Sequence, residues 1–254
     1  MVRPNMDMKC KFSLFLGLVL ANVSAFAQMP GGNPAGGINP VMMKLFGKNN
    51  AFTAKATVRM LDDTDKESMS MVVISSFLDG KMRQDVDLTN MKSAMMSPQV
   101  LGQMKQMGMD KVSVIVRPDK KVSYLIYPGL KSYVDMPMAK DDAAALAQEP
   151  TIEKSDLGKE SVEGHPTVKK KVVMTFADGK KQESTVWEAT DLKNFPVRMQ
   201  ITENGQNVVT TYSDVQFTKL DAKQFEAPTG FERYDNPQKM MMEKMMGNAP
   251  KANK

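Results

Sequence analysis

Apolar and polar residues alternate along much of this chain. From Phe52 the alternation is strict. Phe52, Ala54, Ala56 and Val58 share one face, and Thr53, Lys55, Thr57 and Arg59 share the other, as in a strand with one buried side. Asp62-Asp63-Thr64-Asp65 predicts a turn, and residues 67–78 a second strand. Asp79-Gly80 then predicts a tight hairpin into a third strand from Lys81, marked imperfectly by Met82, Gln84, Val86 and Leu88. Over 91–109 the apolar spacing becomes three to four: Met91, Met95, Met96, Val100, Leu101, Met104, Met107 and Met109 predict a helix or broken helix. Pro98 suits the start of its main segment. Strands are predicted again at 111–117, 121–127 and 131–136, separated by Pro118-Asp119-Lys120 and Pro128-Gly129. A short Ala-rich helix follows at 141–148, with Asp141 or Asp142 as its cap.

The last third repeats the strand pattern at 167–176, 182–189, 196–203 and 206–217. Gly164-His165-Pro166 precedes the first of these, and Asp178-Gly179 and Asn204-Gly205 are reversing pairs. Residues 221–225 predict a helical turn, and Pro228-Thr229-Gly230 closes the domain. Serial hairpins with two helical interruptions give a mainly β (α+β) fold class. An antiparallel meander of about nine to eleven strands curls rather than lying flat. Its helices must then bury their apolar sides against the concave face.

The start of the chain follows a different logic. Arg3, Lys9 and Lys11 precede an apolar run at 12–21, and Ala25-Phe26-Ala27 places small residues before Gln28. Residues 1–27 are therefore expected to be a signal peptide cut before Gln28. The apolar run is shorter than the about 20 residues of a membrane span; an uncleaved anchor is the alternative. Export to the periplasm follows, with the extracellular space as the second choice, and no membrane span remains after cleavage. The only cysteine, Cys10, lies inside this segment, so the mature chain would have no disulfide and no thiolate chemistry. Residues 28–50 form a Gly/Pro-rich leader with a short helix at 41–47. The domain proper runs over 51–234, and a Met/Lys-rich tail over 235–254.

Several short stretches, in order, resemble a family of secreted bacterial proteins similar to the LolA-like superfamily of periplasmic lipoprotein carriers. They are Ile115-Val116-Arg117-Pro118-Asp119, Tyr124-Leu125-Ile126-Tyr127-Pro128-Gly129 with Lys131 and Tyr133, Glu163-Gly164-His165-Pro166-Thr167, Trp187-Glu188-Ala189, Phe195-Pro196-Val197, and Phe225-Glu226-Ala227-Pro228-Thr229-Gly230-Phe231. The resemblance covers roughly residues 50–234. It implies a half-barrel of antiparallel sheet whose apolar concave face, plugged by helices, receives acyl chains. The carriers' helix-latching arginine would correspond to Arg59.

Composition removes several functions. The net charge is +5, and the lysines are spread in alternation with apolar residues, unlike the basic stripe of a nucleic-acid binder. His165 is the only histidine, and its Gly/Pro neighbours place it in a turn. No nucleophile-elbow, phosphate-loop or dinucleotide pattern occurs. The acidic group Asp62, Asp63, Asp65 and Glu67 lacks the glycine and distal glutamate of a calcium loop, which fall at Ser68 and Ile74. No cofactor and no enzymatic activity are expected.

Methionine is the outlier, at 25 of 254 residues. It can fill irregular core space, or present a deformable surface to a lipid or apolar partner. It can also bind a soft ion such as Cu(I). The first two uses suit the 91–109 segment, making Met95, Met96, Leu101, Met104, Met107 and Trp187 candidate contacts for an apolar ligand or acyl chain. The third would fall on Met240, Met241, Met242, Met245 and Met246, with Met136 and Met138 as a further pair. Trp187, between Val186 and Glu188, suits a core position as well as a ligand platform. A structural role, in which a sheet edge pairs with an envelope protein partner, is the remaining class.

Overall fold

The structure, a computed structural model, describes residues 40–62, 64–93, 97–138, 149–203 and 206–247. The signal segment, most of the leader, Met95, Met96, the 141–148 helix and the Asn204-Gly205 pair lie outside the described residues, as do the side chains of Met245 and Met246.

Thirteen strands among the described residues form one open, curved sheet. In chain order they are β1 (Ala51–Leu61), β2 (Glu67–Leu78), β3 (Lys81–Asp87), β4 (Lys92–Ser93), β5 (Lys111–Arg117), β6 (Val122–Tyr127), β7 (Ser132–Pro137), β8 (Thr151–Val162), β9 (His165–Thr175), β10 (Lys181–Ala189), β11 (Phe195–Glu203), β12 (Gln206–Gln216) and β13 (Glu232–Tyr234). Their order across the sheet is β13-β7-β6-β5-β3-β2-β1-β12-β11-β10-β9-β8, with β4 beside β2. Two wings thus meet at β1, which pairs antiparallel with β2 on one side and β12 on the other. Each wing is built of hairpins, and the β1–β12 pairing joins their distant ends.

The strict alternation of β1 is realised. Phe52, Ala54, Ala56, Val58 and Met60 are buried, facing Phe77, Ser75, Val73, Met71 and Met69 across β2. Asp79 and Gly80 both take positive φ, the geometry that lets a two-residue loop follow the right-handed twist of its strands. The concave side holds the main core. A 3-10 helix at Pro40–Phe46 lays Phe46 onto it, with ring centroids 4.8 Å from Phe52, 5.2 Å from Phe77, 5.7 Å from Phe195 and 5.9 Å from Tyr212.

The expected 91–109 helix is shorter. Lys92–Ser93 form β4, and helix α1 spans only Pro98–Gln106, capped by Ser97, whose hydroxyl accepts from the Val100 amide. Asn90, Lys92 and Ser93 bring no apolar stripe, so the chain continues along β2 before the helix can start. Gly108, with φ +71, ends the segment; a Cβ on Gly129 would lie 2.3 Å from the Gly108 carbonyl oxygen. The backbone of the α1 exit therefore rests directly on the 128–130 turn.

Three features depart from the expected meander. β8 is a twelve-residue edge strand with apolar residues only at Ile152, Leu157 and Val162. Its backbone ladder with β9, rather than a buried face, makes it a strand. β13 lies parallel to β7, beyond the Pro228-Thr229-Gly230 closure. Between β12 and β13 the chain crosses the convex face. There Phe225, on a 3-10 turn at Ala222–Phe225, packs with Ile115, Tyr124 and Ile126. Arg117 fastens this strap. Its guanidinium donates to the Phe225 carbonyl at 3.0 Å and pairs with Asp119 at 2.7 Å and Glu226 at 2.6 Å. The hydrogen bonds and charges of Asp119 and Glu226 raise the Arg117 pKa, and both carboxylates are held below their ordinary range. Residues 237–247 form a second helix, α2 (Pro237–Gly247).

Candidate ligand site on the concave face

Register defines the floor of the concave face. One row across the sheet reads Lys170, Val186, Met199, Thr210, Val58 and Met71, from β9 to β2. A parallel row reads Lys154, Val172, Ser184, Ile201, Val208, Met60 and Met69. Strands lie about 4.8 Å apart, so five steps from Lys170 to Met71 span roughly 24 Å, the reach of a long acyl chain. The floor is aliphatic and thioether in its middle and charged at its β8–β10 end.

Helix α1 lies by the 88–90 turn and rests on the main core without sinking into it. Leu101, Met104 and Met107 pack against the main core while remaining half-buried, and no residue of α1 is fully buried. By contrast Met91 and Met109, flanking the helix, are buried. The helix is thus anchored at both ends and loosely seated between them. Tyr127, beside the Gly108–Gly129 contact in sequence, packs on the same core, and burial pushes its hydroxyl pKa up to about 12.

Trp187 joins the main core from β10. β10 runs in unbroken register with β9, so Ser184, Val186 and Glu188 share one face and Trp187 takes the other. Its ring lies between Lys169, 5.0 Å from the centroid, and Arg198, 5.5 Å, and its indole NH donates to Glu160 at 2.6 Å. Such cation–π contacts hold a ring in place. Leu101, Met104 and Met107 pack against the main core from α1, and Trp187 belongs to the same core cluster from β10.

The tail methionines also divide. Met240 and Met241 enter the main core, whereas Met242 is 49% exposed, as successive residues on a helix must diverge. Met136 and Met138 are partly buried against the core. Among the described residues, no three His, Cys, Asp or Glu side chains group as a metal ion would need. Asp62 accepts from the Thr64 and Lys66 amides and the Thr64 hydroxyl, which closes a turn and lowers its pKa. His165 starts β9, with Nδ1 2.8 Å from Asp191. Arg59 lies in the middle of β1, opposite Ser70 and Val209, on the face away from the main core.

The charged end of the floor escaped sequence reading. Glu188 is only 6% exposed. Lys154 reaches one of its oxygens at 2.5 Å and Lys170 the other at 3.0 Å. Burial opposes ionisation of Glu188, but the two ammonium groups outweigh it and the pKa falls below its ordinary value. Four residues along β10, the Ser184 hydroxyl is buried without a hydrogen-bond partner, as are those of Ser75 and Tyr212. A signal existed: Glu188 falls in phase with Val186, an acid at a core position of a period-two pattern. The lysines, within Lys169-Lys170-Lys171, look like an ordinary solvated face.

These features define an open half-barrel: a bent antiparallel sheet with a mostly apolar inner face, overlaid by short helices. No family model and no curated protein matches the chain. Solved structures do match. The lipoprotein LppX of Mycobacterium tuberculosis is 13% identical with a TM-score of 0.37, over 69% of this chain and 92% of LppX. A LolA superfamily protein from Nitrosomonas europaea is 11% identical with a TM-score of 0.35, over 74% of this chain and 94% of the other. MucB from the Pseudomonas aeruginosa MucA/MucB complex is 12% identical with a TM-score of 0.34, over 76% of this chain and 60% of the other. Proteins of the LolA superfamily are therefore among the structures this chain resembles, and at such TM-scores the likeness carries no argument about function. No helix among the described residues is long and apolar enough to cross a membrane.

Proposed function

We propose that this is a non-enzymatic exported protein of the bacterial envelope that shelters an acyl chain, lipid or lipidated protein on the concave face of its half-barrel. The observation that carries the reading is the seating of α1. An amphipathic helix rests Leu101, Met104 and Met107 half-buried against the main core. Burying apolar area stabilises by about 25 cal/mol per Å², so an apolar chain slipped beneath the helix would gain contact that the empty protein leaves unmade. Thioether side chains adapt to such an insert because three rotatable bonds let them repack. Met95 and Met96, next to the helix in sequence, are proposed as further contacts.

The reading is tested by native mass spectrometry of protein purified from its own envelope, together with titration by a fluorescent fatty acid. Co-purified lipid, or saturable uptake weakened by Met104→Glu, is expected. A clean apo spectrum with no uptake would overturn it.

A further inference from the structure

We propose that the outer edge of β8 joins two copies of this chain, antiparallel, around a two-fold axis between Leu157 and Gly158. The inference is independent of the acyl-binding reading. The two ends of the sheet differ. At one end β13 is three residues long, and α2 closes it: Lys244 pairs with Glu232 at 2.7 Å and lies over the Tyr234 ring at 5.9 Å. At the other end β8 presents twelve residues, and no described strand pairs with their outer side. Nearly all are exposed, including Leu157 at 53%. Such an edge is a template for a further strand, and its charge pattern selects the occupant.

The bulge sets that pattern. Across the β8–β9 ladder Lys154 lies opposite Val172, Asp156 opposite Lys170, Gly158 opposite Lys169 and Lys159 opposite Val168. Val168, Lys170 and Val172 share one face of β9 by strand parity, so Lys154, Asp156 and Lys159 share the inner face of β8. Without the extra residue, Asp156 and Lys159 would fall on opposite faces. Two antiparallel copies of one strand, related by an axis normal to the sheet, bring residues of the same face together. With Leu157 opposite the copy's Gly158, Asp156 meets the copy's Lys159, and symmetry repeats the pair across the axis. Ser155 then meets Glu160 and Lys154 meets Ser161, so no two like charges are opposed. A register placing Lys154 opposite Lys159 would also oppose Glu153 to Glu160, and like charges directly opposite are destabilising. The Asp156 side chain is 73% exposed, and its contact with Lys170 is long, at 3.9 Å. Gly158 leaves room for the copy's Leu157, since a Cβ there would meet nothing within 4 Å. Charge and bulge thus deter strands of other sequence while admitting this one, and the inner faces of both copies lie on the same side of one continuous sheet.

The test is sedimentation equilibrium of the full mature chain from low to high micromolar concentration. A monomer–dimer equilibrium is expected, with amide exchange in β8 slowing as the dimer forms. Asp156→Lys and Lys159→Asp each set like charges across the axis and should weaken the dimer by about tenfold, the effect of two such pairs. Both residues are exposed, so the fold, checked by circular dichroism, should be retained. The double variant Asp156→Lys, Lys159→Asp exchanges the charges and should restore most of the lost affinity. A chain that stays monomeric throughout would overturn the proposal. A dimer that neither single variant weakens would overturn it too, by placing the contact elsewhere. Single variants that weaken the dimer without rescue by the double variant would exclude this register.

Discussion

The two wings of the sheet are built from the same hairpins yet buried in opposite ways. In β5 of the first wing, six of seven residues are buried, because the main core covers its concave side and the 3-10 turn carrying Phe225 covers its convex side. In β8 of the second wing, nearly every residue is exposed, and Leu157 is 53% exposed. The first wing is held by apolar area on both faces. The edge of the second is held by its ladder with β9 and by ion pairs such as Lys154–Glu188, Lys169–Glu160 and Lys170–Asp156. β8 therefore adds little apolar burial, whereas its neighbours in the same wing put Val172, Met174, Val186, Phe195, Met199 and Tyr212 into the main core. A long exposed edge invites pairing with other chains; here mixed charges and the bulge at Asp156/Gly158 blunt it against strands of other sequence.

The contrast breaks first at Phe225. Replacing it with alanine empties the convex core, and a loss of about 3–5 kcal/mol is expected in urea unfolding. A loss below 1 kcal/mol, the size of an ordinary surface change, would mean that the strap does not hold the first wing. Next comes Gly129→Ala, whose Cβ would meet the Gly108 backbone. Backbone cannot yield as a flexible side chain can, so about 1–3 kcal/mol should be lost. Amide exchange should quicken over 98–109, while β8 and β9 are unaffected; unchanged exchange in α1 would show that the glycine contact does not position the helix.

Acid should sharpen the contrast on the second wing. The folded pKa of Glu188 is depressed by its two lysines. Its stabilisation is thus present above the unfolded value and lost as pH falls through the folded one. Comparing the wild type with Glu188→Gln, the advantage of the wild type should hold at neutral pH and shrink as pH drops below the ordinary value of 4.5. A difference independent of pH would mean that the carboxylate gains nothing from being ionised. The smallest effect belongs to Leu157→Ala in the single chain, within about 0.5 kcal/mol; a larger loss would mean that this side chain is covered within it.

Much of the scaffold was legible because its information is local. Alternation over Phe52–Val58 gave β1 and its inward face. Asp79-Gly80 gave the β2–β3 hairpin, since few other pairs accept positive φ at both positions. Pro98 gave the start of α1. β8 was not legible, because a strand stabilised by a backbone ladder needs no apolar period. The strap was read only as a helical turn at 221–225, since a sequence does not say which surface a loop will cross. For the candidate site, Leu101, Met104 and Met107 were visible as a helical stripe, whereas Lys154, Lys170, Ser184 and Glu188 were not. Trp187 looked equivalent to the helix methionines by hydrophobicity, and strand parity alone put it on the other face.

The sequence by itself determined the inventory: which segments extend, where they reverse and which side of each is apolar. Those properties follow from dihedral preference and periodicity within a few residues. Only the tertiary structure decided that β1 pairs with β12, that the Phe225 strap backs one wing and not the other, and that two lysines from neighbouring strands meet one glutamate. Pairing across more than 150 residues depends on which surfaces can be buried together, and that is a property of the whole chain rather than of any stretch of it.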